Sequence, residues 1–196
     1  MALIDTVSEA EAQGDVARMF KQNRAAKGYI PNYVKAFSHR PQVMEAWANL
    51  LGSVRSTLDT RRYELVTLAA ARALKSSYCM LAHGSVLLGY YDAAQLTKIA
   101  EDYRQANLSP EDVVMMAFAE KIVRDATSVT AEDTEGLRTH GFSDEEIFDV
   151  AATASARCFF SKLLDALGAE PDAHYLGLGP GLRQALSVGR PISKAP

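Results

Sequence analysis

The stretch ELVTLAAARALKSSYCMLAHG, running from Glu64 to Gly84, decides the fold. Its first half, Glu64 to Leu74, is rich in Ala and Leu, strong helix formers, and Asp59-Thr60 just upstream supplies cap residues. Its second half opens a sixteen-residue run, Ser76 to Tyr91, without Asp, Glu, Lys or Arg. That run is shorter than the about 20 apolar residues a bilayer requires and contains Ser, Tyr, His and Gly, so it reads as a buried core helix. Ser76-Ser77 offers the one break between the halves. If the chain turns there, the two helices fold back as a hairpin and Cys79 falls in the first turn of the second, where amide dipoles favour negative charge. If the helix runs straight through, that help is lost.

Outward from this pair the chain continues as helices, and no period-two strand pattern competes. Val43, Ala46, Trp47, Leu50, Leu51 and Val54 form an apolar stripe that predicts a helix from Pro41 to about Thr57. Ser109-Pro110-Glu111-Asp112 carries a capping hydroxyl, a proline suited to the first helical position and first-turn acids, with Val114, Phe118 and Ile122 behind it. Ser143 and Glu146 make a capping box opening a long helix to about Leu167, ended by Gly168. Shorter helices are expected around Val16, Met19 and Phe20, at Asp92 to Glu101 and at Thr130 to Thr139. After Gly168 the density of Gly and Pro rules out one continuous helix. It predicts an extended arm with a short helix near Leu182 to Leu186, either frayed or packed on a neighbouring subunit through Tyr175, Leu176, Leu178 and Leu182. The expectation is one all-α domain: N-terminal helices (1–58), the motif pair (59–91), C-terminal helices (92–168) and the arm (169–196).

At 196 residues the chain can bury a sizeable core without a disulfide or metal. Its net charge of -3 and scattered Lys and Arg give no footprint for nucleic acid. The start, Met1-Ala2-Leu3-Ile4-Asp5, lacks a secretory pattern, so a cytoplasmic protein with reduced thiols is expected, away from membranes.

Chemistry points to Cys79 and His83. Four residues apart on a helix, they share a face one turn apart. A thiolate is the reactive form of cysteine, and a neighbouring imidazole that accepts its proton promotes it. In the hairpin arrangement Glu64 lies beside the second helix, offset from His83 by roughly five residues, about 7 Å along the axis. A long side chain or a water closes that gap, giving a carboxylate, imidazole and thiol set in which Glu64 orients His83 and His83 serves Cys79.

The run from Glu64 to Gly84 resembles the alkylhydroperoxidase D and carboxymuconolactone decarboxylase family, whose redox motif is Glu, eleven residues, Cys, two residues, Cys, three residues, His. Glu64, Cys79 and His83 match with every interval kept, and Ser76 stands where the family has its first cysteine. From Ile30-Pro31-Asn32-Tyr33 to Gly189-Arg190-Pro191-Ile192 the chain looks like the peroxidase-related branch. The resemblance implies an all-helical homo-oligomer acting on a hydroperoxide, with Cys79 attacking the O–O bond and becoming a sulfenic acid. Ser76 cannot close the disulfide that follows in the full-motif enzymes, and Tyr78 stands where the full-motif peroxidase has a His.

Three routes are then open for turnover: an external thiol of unidentified chemistry, Cys158, or no turnover at all. Cys158 continues the stripe Ile147, Val150, Ala151 and Ala154 and is expected to face the core, as inert cysteines do. No cofactor is expected, and zinc would want a second Cys or His pair, which the sequence lacks. His39, His140 and His174 receive no role. The competing expectation is a non-redox helical oligomer, ligand-binding or decarboxylase-like, in which the thiol is incidental. Leu87-Leu88-Gly89-Tyr90-Tyr91 and the arm are the expected contact surfaces between copies.

Overall fold

The computed structural model describes residues 3–55 and 58–194. Among them the chain forms ten α-helices and no strand: α1 (Gly14–Lys27), α2 (Asn32–Ala36), α3 (Pro41–Val54), α4 (Thr60–Ala73), α5 (Ser77–Leu87), α6 (Ala93–Asp102), α7 (Pro110–Asp125), α8 (Ala131–Thr139), α9 (Asp144–Ala166) and α10 (Pro180–Leu186). The caps expected from sequence close these helices. Asp59 accepts from the Arg62 amide at 2.9 Å, Ser109 caps α7, and Ser143 and Glu146 form a reciprocal box at the start of α9. Each such cap is worth about 1 kcal/mol.

α4 is the central helix. Every residue from Tyr63 to Ala71 is buried, a pattern that requires neighbours on all sides. α5, α7 and α9 supply them, and α7 also packs on α9.

The chain does turn between α4 and α5. Lys75 adopts the left-handed conformation, φ 54°, while the Ser76 amide donates to Ala71 O and the Lys75 amide to Arg72 O, both at 3.0 Å. Those paired bonds are the Schellman closure of a helix C-terminus, here with Lys where Gly is usual. The turn reverses the chain and brings α5 back along α4.

Two regions differ from the sequence reading. α3 ends at Val54, and the expected end at Thr57 lies outside the described residues. Its apolar stripe divides: Leu51 and Val54 are buried and Trp47 partly so, whereas Val43 and Leu50 are exposed. α2, a five-residue helix, is too short to leave a periodic signal.

The arm packs on its own chain. Leu182 and Leu186 are buried, with α10 lying on α6 and α5. Gly84 permits this approach, because a Cβ there would lie 2.8 Å from the Leu186 methyls. Farther along, Gly189 sits against the α4–α5 turn. A Cβ on it would fall 2.0 Å from the Lys75 carbonyl oxygen, and its amide donates to Ser77 Oγ at 2.7 Å. The guanidinium of Arg190 donates to the Asp165 carbonyl at 2.7 Å. The arm is thereby tied to the turn that precedes Cys79. No helix among the described residues is long and apolar enough to cross a membrane.

Candidate active site

The reversal at Lys75 sets Glu64 of α4 beside His83 of α5, and α9 covers both. Glu64, Cys79 and His83 line one cavity of about 280 Å³. Glu64 Oε2 lies 2.5 Å from His83 Nδ1, so the offset expected from helix geometry is closed by direct contact.

The other imidazole nitrogen, Nε2, lies 3.0 Å from Nη1 of Arg157. A guanidinium only donates, which makes Nε2 the acceptor and leaves the proton on Nδ1, donated to Glu64. Burial, and then the positive charge of Arg157, push the His83 pKa below its ordinary value, against the pull of Glu64. The imidazole is therefore neutral near pH 7.

Arg157 is the residue that sequence reasoning missed. It is 1% exposed, donates through Nη2 to the Tyr63 hydroxyl and lies over the rings of Trp47 and Tyr63 at 5.2 and 5.6 Å. Among the described residues no carboxylate is within ion-pair distance of it, and its buried Nε has no hydrogen-bond partner. A readable signal existed. Asp149, Thr153, Arg157 and Ser161 recur every four residues along α9, and all are buried, so they mark a polar line on the face turned to the core.

Cys79 is the third residue of α5 and 2% exposed. Its sulfur accepts a hydrogen bond from the Ser161 hydroxyl at 3.2 Å. Among the described residues no hydrogen bond joins Cys79 to His83, whose two ring nitrogens are engaged by Glu64 and Arg157. Thiol and imidazole share a cavity wall rather than a bond.

Tyr78 faces the arm. Its hydroxyl donates to Asp172 and accepts from the Tyr33 amide at 3.1 Å; burial and then Asp172 push its pKa far up. Asp172 also accepts from the Asn32 amide at 2.7 Å. With Tyr175 it brings the arm into the cavity wall.

Ser76 is fully buried at the start of α5. It is one of the groups drawing down the Asp165 pKa, which burial raises. Cys158 is partly exposed and lies outside the lining of the cavity. Burial raises its pKa, with Lys162 opposing. Both cysteines are thiols in this structure.

Residues 41–90 match the carboxymuconolactone decarboxylase family. No curated protein shows significant sequence similarity to the chain. Among solved structures, the alkylhydroperoxidase AhpD core of a peroxidase-related protein from Ralstonia eutropha JMP134 superposes with a TM-score of 0.80 at 24% identity, over 89% of this chain and 94% of that one. A peroxidase-related protein from Silicibacter sp. TM1040 also superposes with a TM-score of 0.80, at 25% identity, over 90% and 94%. The debrominase Bmp8, solved with 2,3,4-tribromopyrrole, shares the fold at a TM-score of 0.71 and 14% identity, over 94% and 95%. Residues 41–90 thus carry the similarity to the carboxymuconolactone decarboxylase family, and the chain has the fold of the alkylhydroperoxidase D-like, peroxidase-related structures.

Proposed function

We propose that the protein is a thiol-dependent, peroxidase-like oxidoreductase that reduces hydroperoxides through Cys79. The observation that carries the reading is the shared cavity: a thiol in the first turn of α5 opens into the same space as an imidazole hydrogen-bonded to a buried carboxylate. His83, held neutral, takes the thiol proton on Nε2 once Arg157 releases that nitrogen, and Glu64 steadies the imidazolium that results. The thiolate attacks the terminal oxygen of ROOH. An S–O bond forms, the O–O bond breaks, and its electron pair leaves with RO⁻, which receives the proton as ROH. Cys79 is left as a sulfenic acid.

Regeneration falls to an external thiol. Ser76 carries no sulfur, and Cys158 lies outside the cavity with its thiol held protonated by burial. One thiol condenses with the sulfenic acid to release water, and a second frees Cys79 as the external disulfide forms. Exposed Val43 and Leu50 on α3, with Phe148 and Phe159 on α9 and Leu88 and Tyr90 beyond α5, support assembly of copies into a homo-oligomer.

A second reading, small-ligand binding or decarboxylase-like chemistry with an inert thiol, draws support from Ser76 in place of the first motif cysteine and from the family match. Labelling with a dimedone-type probe after mild peroxide treatment separates the two. The peroxidase reading expects an adduct on Cys79 that is lost in Cys79→Ser; an unlabelled Cys79 rejects it.

A further inference from the structure

We propose that the cavity beside Cys79 is a binding site for a small aromatic carboxylate, with the anionic group seated on Arg157. The first ground is charge. A guanidinium 1% exposed is costly to bury unless an anion meets it, and the two groups Arg157 touches, the Tyr63 hydroxyl and His83 Nε2, are neutral. Glu64 reaches it only through the imidazole. The cavity's other carboxylate, Asp172, is occupied by Tyr78 and the Asn32 amide.

The second ground is the surplus of donors. Nε of Arg157 and Nε1 of Trp47 are both buried without hydrogen-bond partners, and both residues line this cavity. Two buried N–H groups without partners, both on residues that line the cavity, leave donor capacity beside it unmet. The planar fork of a guanidinium suits a carboxylate in particular.

The third ground is shape and surface. At about 280 Å³ the cavity lies just below the range of drug-sized ligand pockets, roughly 300–1,000 Å³. Trp47, Tyr63 and Phe160 present aromatic surface to it. Lys27 and Arg55 lie at the same cavity, over the rings of Tyr33 and Tyr63 at 5.4 and 4.5 Å. Neither forms an ion pair among the described residues, so the approach is positive as well. The site fits a one-ring acid whose carboxylate lies on Arg157 and whose ring rests on the aromatic wall.

The proposal stands on the cavity and not on the reactivity of the thiol. Trp47 is the one tryptophan in the chain, so intrinsic fluorescence reports occupancy of the site directly. Benzoate titrated into the full-length reduced protein is expected to give a saturable change in Trp47 emission, with calorimetry confirming the affinity. Benzyl alcohol, its neutral counterpart, and acetate, which lacks the ring, should each bind at least about tenfold more weakly. Arg157→Met should weaken benzoate by at least the same factor. Where that variant fails to fold, Arg157→Lys, which keeps the charge and loses the planar fork, should show a severalfold loss. Equal binding of benzyl alcohol overturns the anionic assignment, equal binding of acetate overturns the aromatic one, and no saturable change with benzoate overturns the proposal entirely. Peroxide labelling of Cys79 in the same preparation distinguishes this failure from failure of the peroxidase reading.

Discussion

Two clusters in this molecule are built from the same side chains, a glutamate, a tyrosine and arginine, and they do opposite things with charge. On α7, Glu120 accepts from the Tyr103 hydroxyl at 2.7 Å, from Arg104 at 2.8 Å and from Arg124 at 2.8 Å. Its two arginines stand mostly in solvent. Although burial works the other way, the hydrogen bonds from Tyr103, Arg124 and Arg104 hold its pKa at about 2. In the cavity, by contrast, Glu64, His83, Arg157 and Tyr63 form a chain in which the carboxylate bonds the imidazole and the buried guanidinium bonds only neutral groups. The first cluster is complete as folded. The second meets its buried cation with a carboxylate only through the imidazole and leaves an N–H donor unpaired, the kind of imbalance a stability-driven fold removes and a functional site keeps.

The same substitution should separate them. Glu64→Gln removes the carboxylate that compensates the buried cluster and should cost about 3 kcal/mol in urea unfolding. Gly189→Ala comes next, at about 2 kcal/mol, because its Cβ meets the Lys75 carbonyl. It should loosen the arm from the motif turn and change alkylation of Cys79 while leaving the Glu120 cluster intact. Glu120→Gln should cost only about 1 kcal/mol, since solvent screens its arginines. Equal losses at Glu64 and Glu120 would erase the difference between the two clusters.

Their pH windows should differ as well. The folded pKa of His83 is depressed, so the unfolded chain takes up that proton first, and stability should fall as pH drops below about 6.5. His83→Gln should flatten that part of the curve. Glu120, at about 2 when folded against an ordinary 4.5, contributes stability present above pH 4.5 and lost as pH falls toward 2. Urea midpoints measured across both windows check the two signs. The smallest effect is expected at Cys158: Cys158→Ser should leave the lifetime of a Cys79 sulfenic acid unchanged, because that thiol lies outside the cavity.

Local signals in the sequence carried most of the architecture. Ser143 with Glu146, Ser109 with Pro110, and Asp59 are caps whose partners lie within three residues, so they are legible without tertiary information. The Glu64-to-His83 interval was legible for the same reason once the turn at Ser76 was considered, since helix rise fixes the offset. Arg157 was harder. Its role depends on α9 crossing the motif pair, and only the four-residue recurrence of Asp149, Thr153, Arg157 and Ser161 hinted that a polar line faced inward. Asp172 and Tyr175 left no such hint, because the Gly- and Pro-rich arm docks through tertiary contacts and has no period to read.

The central claim is that Cys79 attacks a hydroperoxide and that Ser76 removes its internal reset. Reduced protein mixed with one equivalent of hydroperoxide in the absence of added thiol tests both at once. The account predicts rapid consumption of the peroxide, absent in Cys79→Ser, leaving Cys79 as a sulfenic acid that a dimedone-type probe traps and a small thiol reduces. No consumption, or consumption identical in Cys79→Ser, would contradict the attack; an intramolecular disulfide in place of the trappable sulfenic acid would contradict the missing reset.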